Sequence, residues 1–163
     1  MTSRFILILA AALSLSACWP FGGGRSRLEG RYTTDHPGRL WAAVDPGGAD
    51  KAWWHTENGA AVYTDSNCEQ AFVDNPLERL AQAQAAAIDE AEMVESREHR
   101  LAERAALTVV YKGQLDGVPV SVTTTVLKKN QCIYDFVLVA PVDRVEEVLG
   151  AYETVVTSFK IRK

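Results

Sequence analysis

Leu107-Thr108-Val109-Val110-Tyr111-Lys112-Gly113-Gln114 is followed by Leu115-Asp116-Gly117 and then by Val118-Pro119-Val120-Ser121-Val122-Thr123-Thr124-Thr125-Val126-Leu127. The first run sets Leu107, Val109 and Tyr111 against Thr108, Val110 and Lys112. The second sets Val118, Val120, Val122, Thr124 and Val126 against Pro119, Ser121, Thr123, Thr125 and Leu127. A period of two carried by β-branched residues marks a pleated strand, because successive side chains leave it on opposite faces. Asp-Gly between the runs suits a tight hairpin, since both residues tolerate positive φ. The second run reads as a half-exposed strand, residues 128–131 turn the chain back, and residues 132–140 form the most apolar strand, which belongs at the centre of the sheet. Three strands in succession make an antiparallel meander that the rest of the chain must cover.

On the C-terminal side, Pro141 opens a helix in which Val145, Val148, Leu149, Tyr152, Val155, Val156 and Phe159 form an amphipathic stripe suited to one face of a sheet. Lys160, Arg162 and Lys163 fall at the negative end of its dipole or in the solvent beyond. Upstream, Asn75-Pro76-Leu77-Glu78 combines an N-cap, a first-turn proline and a capping-box partner. A helix of about 15 residues should follow, through Leu80, Ala81, Ala87 and Ile88. Residues 92–106 admit two readings. Their Glu, Arg, Leu and Ala favour a helix of about 30 residues running on from Pro76, whereas a strand near residues 93–98 would give the exposed edge of the meander a neighbour; the second is preferred. Residues 51–56 and 61–65 flank Glu57-Asn58-Gly59, a hairpin signal, and residues 40–44 read as another strand. The fold class is α+β: an antiparallel sheet of about six strands with helices packed on its faces.

The first residues carry an address. Residues 1–4 bear one positive charge, residues 5–15 are apolar but too short to span a bilayer, and Leu15-Ser16-Ala17-Cys18 has the pattern of a lipobox. This stretch resembles bacterial lipoprotein precursors. The resemblance implies removal of residues 1–17, diacylglycerol on Cys18 and palmitate labelling. Trp19, rather than Asp, after the cysteine implies sorting to the outer membrane, with the domain facing the periplasm. Residues 18–30, with Gly22-Gly23-Gly24, read as a flexible tether, and residues 31–163 as one globular domain. The chain of 163 residues has a formal charge of −4. This mild acidity argues against nucleic acid, and the one basic cluster, Arg25, Arg27 and Arg31 near the tether, reads as contact with anionic headgroups or as plainly solvated. With Cys18 assigned to lipid, Cys68 and Cys132 remain as an even pair in an oxidising compartment, and no Cys-x-x-Cys spacing points to redox or metal use. Cys68 follows the strand at residues 61–65 and Cys132 opens the strand at residues 132–140, so antiparallel neighbours would bring them together as a disulfide.

Leu115-Asp116-Gly117-Val118-Pro119 between two strands, Cys132-Ile133-Tyr134-Asp135-Phe136 opening the last strand, and Val155-Val156-Thr157-Ser158-Phe159 closing the final helix resemble the PsbP-like group over residues 60–160. That group includes DcrB-like lipoproteins. The resemblance implies an α/β/α sandwich on an antiparallel sheet and a non-catalytic role as an accessory or assembly factor binding larger complexes. It transfers no catalytic set, and the metal ligands of photosynthetic members have no matching positions here.

No residue set reads as catalytic, and none calls for a cofactor or metal. His36, His55 and His99 are scattered, with no i, i+4 pair. His55 near Glu57 and Asp65 is the nearest approach to a metal set and reads as an ordinary surface histidine. Ser66 and Ser121 lack a Gly-x-Ser-x-Gly elbow. The chain is therefore expected not to be an enzyme. The remaining candidates for contact with a partner or ligand are Trp41, Trp53, Trp54 and Tyr63. Adjacent tryptophans cannot share one face of a strand, so one ring of Trp53 and Trp54 should be the more exposed. Two functions follow: a lipid-anchored envelope module that binds a protein, or a lipoprotein that binds a small apolar or glycan ligand in a cleft lined by Trp41, Trp53 and Trp54.

Overall fold

The computed structural model describes residues 31–69 and 74–162. The lipobox with Cys18, the tether and Lys163 lie outside the described residues. A seven-stranded antiparallel sheet runs in the order β2 (Trp41–Ala43), β3 (Lys51–His55), β4 (Ala61–Asn67), β8 (Cys132–Pro141), β7 (Val118–Lys129), β6 (Arg104–Leu115) and β5 (Asp89–Leu101). Helix α1 (Leu77–Gln84) lies on one face and α2 (Val145–Thr157) on the other. The apolar strand beginning at Cys132 is fourth of seven, at the centre, as its composition requires.

Alternation assigns each side chain to a layer. On the α2 face, Tyr134, Phe136 and Leu138 of β8 join Val62 and Trp53 and meet Val148, Tyr152, Val155 and Val156 of α2. On the α1 face, Ile133 and Val137 join Leu107, Val109, Tyr111, Val120 and Val122 beneath Ala81 and Ala85. Because both faces are covered, residues 120–127 of β7 are buried on both sides rather than half-exposed. The helical stripe is as expected: its members are buried or half-buried, with Phe159 just beyond the helix end.

Helix α1 is shorter than its sequence suggests. Its N-cap is Pro76, which lacks a side-chain hydrogen bond, and it ends at Ala85, where the Ala85 amide donates to the Gln82 carbonyl and the Ala86 amide to the Ala83 carbonyl. The chain then crosses β6 at Gly113, where an added Cβ would lie 2.5 Å from Ile88 Cγ2 and 2.6 Å from the Asp89 carbonyl oxygen. Only a residue without a side chain lets the backbone pass so closely. The crossing delivers β5, a strand thirteen residues long, to the sheet edge. The strand reading of residues 93–98 therefore holds, and the continuous helix does not form. Three two-residue hairpins link β5, β6, β7 and β8, with positive φ at Ala102 and Glu103, at Asp116 and Gly117, and at Asn130 and Gln131.

A second, two-stranded sheet pairs β1 (Tyr32–Thr33) with β9 (Lys160–Ile161). Residues past α2 were expected merely to meet the helix dipole or solvent, yet they form a strand. Tyr32 ties this ribbon to the core: its ring contacts Tyr134 edge-on, and its hydroxyl lies 2.7 Å from Thr64 Oγ1. Cys68 and Cys132 form a disulfide on the rung beyond the Asn67–Ile133 pair, with Cα atoms 4.1 Å apart, slightly under the usual lower bound.

Candidate functional site

The four aromatic candidates do not gather into one site. Trp41 and Trp53 project toward α2 and are core residues; Trp53 is only 7% exposed. His55 packs edge-on against Trp41 with centroids 5.0 Å apart, and His36 does the same to Trp53 at 5.9 Å. His55 is therefore a buried core residue rather than a surface one, and its Nδ1 accepts the Glu57 amide proton. Asp65 points to the opposite face, so His55, Glu57 and Asp65 cannot share an ion. A cleft lined jointly by Trp41, Trp53 and Trp54 does not exist, because the sheet separates the first two from the third.

Trp54 is 46% exposed. Register places it between Ala42 and Ala61, with Leu40 opposite Thr56 and Val44 opposite Ala52 on the same face. Leu40 and Val44 are 46% and 45% exposed. Helix α1 covers β6 and β7 on this face and leaves the β2–β3 end open. The open end thus carries an apolar patch of Leu40, Ala42, Val44 and Trp54, with the indole resting over the turn at Gly59. Monomers seldom leave such clusters uncovered without a use for them.

Tyr63 lies on the same face but is half-buried and engaged. Its hydroxyl donates to Gln84 Oε1 at 3.3 Å, and Gln84 Nε2 donates to Asp135 Oδ2 at 3.0 Å. The last residue of α1 thereby clamps β4 to β8. Asp65 stands directly across from Asp135. Burial, reinforced by the Asp65 charge, pushes the Asp135 carboxyl up to about 7. Burial likewise pushes Tyr63 up to about 12, with Asp135 and Asp65 adding to it. Asp135 Oδ1 and Thr124 Oγ1 are buried without a hydrogen-bond partner among the described residues.

On the α2 face, the β5–β7 half of the sheet extends past the helix and leaves a cleft of about 510 Å³ that the sequence did not advertise. Its floor is a hydrogen-bonded row. His99 Nε2 lies 2.9 Å from Thr108 Oγ1, which lies 2.7 Å from Thr125 Oγ1. Tyr152 donates its phenolic proton to Thr125 at 2.8 Å, with the Phe136 carbonyl 3.1 Å away. Val110, Leu149 and Val156 supply apolar wall, and Glu95, Arg97 and Glu153 complete the lining. Glu95, Arg97 and Glu153 form no ion pair with one another, so these charged groups at the cleft are not joined in a salt bridge. Periodicity could have placed these residues on one face. The gap beside α2 depends on where the helix docks, which no local pattern states.

No family model matches the chain, and no curated protein matches it. Solved structures do. LpqN of Mycobacterium tuberculosis, described as involved in cell envelope biogenesis, aligns with a TM-score of 0.60 at 10% identity, covering 81% of this chain and 83% of its own. A Pseudomonas aeruginosa protein of unknown function, described as a putative regulator, aligns at 0.54 and 13% identity over 64% of this chain and 74% of its own. The cyanobacterial PsbP of Synechocystis aligns at 0.49 and 15% identity over 80% and 91%. The mostly antiparallel seven-stranded sheet with two packed helices, the architecture implied by the PsbP-like resemblance, is thus a fold this chain shares with LpqN and the Pseudomonas protein.

Proposed function

We propose that this chain is a lipoprotein of the cell envelope, anchored to the outer membrane by lipid on Cys18 and facing the periplasm, which binds a protein partner and performs no catalysis. The observation that carries this reading is the uncovered apolar patch of Leu40, Val44 and Trp54 at the β2–β3 end of the sheet. An exposed tryptophan framed by aliphatic groups is the kind of anchor on which a few residues carry most of an interface's energy. The lipobox and the shared fold with a protein of cell envelope biogenesis support the location.

The lipidated protein, captured from detergent-solubilised envelopes, should bring down a stoichiometric partner, and Trp54→Ala should weaken that capture by roughly 30-fold or more, as truncating a central tryptophan does. Recovery of the protein alone, or equal recovery by the variant, would reject the reading. The anchor has its own test. Cys18→Ser should abolish palmitate labelling, and a labelled variant would refute the assignment of lipid to this residue.

The cleft beside α2 favours a second reading, a small ligand bound by the threonine row and the wall of Val110, Leu149 and Val156. Its volume is that of an ordinary ligand site. This moves the ligand alternative away from the tryptophans.

A further inference from the structure

We propose that the outer face of the β1–β9 ribbon is a docking surface for an anionic phospholipid bilayer, so that the domain lies on the membrane in a set orientation rather than swinging beneath its anchor. Tyr32 pairs with Ile161 and Thr33 with Lys160, and the Arg162 amide donates to the Arg31 carbonyl at 2.6 Å, extending the ladder by one rung. Partners on one rung share a face, and adjacent rungs alternate. Tyr32 and Ile161 turn to the core. Arg31, Thr33, Lys160 and Arg162 therefore turn outward, and all three cations are exposed. Lys51 lies on the other side of the ribbon, half-buried, its Nζ 5.0 Å from the Tyr32 ring centre and donating to Thr34 Oγ1, so it adds field behind the patch without being part of its surface. Lys129 shares a shallow hollow with Lys160 and Glu103.

None of these cations has a carboxylate within ion-pair distance among the described residues. Asp50, whose field reaches Lys51, instead accepts a hydrogen bond from Ser66. Lys129 spends a donor on the Ala102 carbonyl, which leaves Arg31, Lys160 and Arg162 as the exposed cations; on a chain of net charge −4, three on one face are a local reversal of sign.

Its position names the occupant. The chain N-terminal to Arg31 carries Cys18, and twelve residues separate the two, so that about 45 Å is the most they can span when fully extended. Arg25 and Arg27 fall within that stretch, against one acid, Glu29. The cationic face is thus the part of the domain closest along the chain to the proposed lipid. Each Lys or Arg near an anionic leaflet strengthens attraction about fivefold, within a Debye length of roughly 8–10 Å. The inference rests on the anchored reading only for this proximity.

The test needs no lipid on the protein. The chain from residue 18 onward, carrying Cys18→Ser, is mixed with vesicles of phosphatidylcholine alone or with phosphatidylglycerol, and sedimentation reads the bound fraction. Binding should require phosphatidylglycerol and fall with added salt. It should drop at least about 25-fold with Lys160→Glu and Arg162→Glu together. Lys160→Gln with Arg162→Gln, checked for an unchanged melting curve, should lie between. Equal binding to both vesicles, or a charge-reversed variant that binds like the parent, overturns the proposal. So does retention on polyglutamate without vesicle binding, which would assign the face to an acidic protein. Palmitate labelling is read separately, so failure of the anchor and failure of the docking face are distinct results.

Discussion

Removing the bridge with Cys132→Ser, or by reduction, is expected to destabilise the domain by about 4 kcal/mol. Cys68 and Cys132 are 64 residues apart in sequence. On the chain-entropy model, closing a loop of that size removes unfolded-state freedom worth about 4 kcal/mol. Everything from the end of β4 through α1, β5, β6 and β7 lies inside it. For a domain of this size the melting temperature should fall by on the order of 15 °C. Palmitate labelling, if Cys18 carries lipid as proposed, should be untouched, because the two chemistries share no atom. A melting curve that does not move on reduction would show that the loop is already held in the unfolded chain.

Asp135→Asn should act in the opposite direction, stabilising the protein at mildly alkaline pH by on the order of 2–4 kcal/mol, since a pKa unit corresponds to about 1.4 kcal/mol. The carboxyl lies on the buried α1 face of the central strand, opposite Asp65, and titrates near 7 in the folded protein, against about 3.9 when unfolded. Below the unfolded value the group is protonated in both states and costs nothing. As pH rises, the unfolded chain releases its proton first while the folded chain still binds one. Stability from this group is therefore lost between about pH 4 and 7, and the loss is complete above the folded value. An asparagine keeps the Oδ that accepts from Gln84 and never ionises. Urea unfolding across this range should show a slope in the parent protein that Asp135→Asn flattens, with the two converging near pH 4. Parallel profiles would mean that Asp135 carries no such penalty.

The strands that alternate cleanly were readable in advance, and so was the α2 stripe, because each buries a face whose period is written locally. Residues 85–106 resisted for a physical reason. Ala85-Ala86-Ala87 favours helix, and the hairpin between β5 and β6 turns on Ala102 and Glu103, neither a turn former, both held at positive φ. Paired strands on each side impose what their propensities oppose. β9 escaped notice because two residues make no period and their partner is at the other end of the chain. At the candidate site, the unequal exposure of Trp53 and Trp54 followed from strand alternation, whereas the apolar patch and the cleft depend on how far each helix reaches across the sheet. That is a tertiary fact.

The ribbon also fixes how the domain meets a mechanical load. A pull applied N-terminal to Arg31 reaches the fold through the Arg31–Arg162 rung and the two rungs of β1–β9, backed by the Tyr32 ring against Tyr134 and Phe159. The seven-stranded sheet and its disulfide lie behind that latch, joined to it by residues 34–40. With only two rungs and one flanking bond against the many of the larger sheet, the latch should yield first, releasing about 3.3–3.6 Å of chain per residue while the sheet keeps its register. Pulled from its N-terminal side, the domain is therefore expected to part at the two-stranded ribbon before the seven-stranded sheet, a short early step that a force-extension trace would resolve.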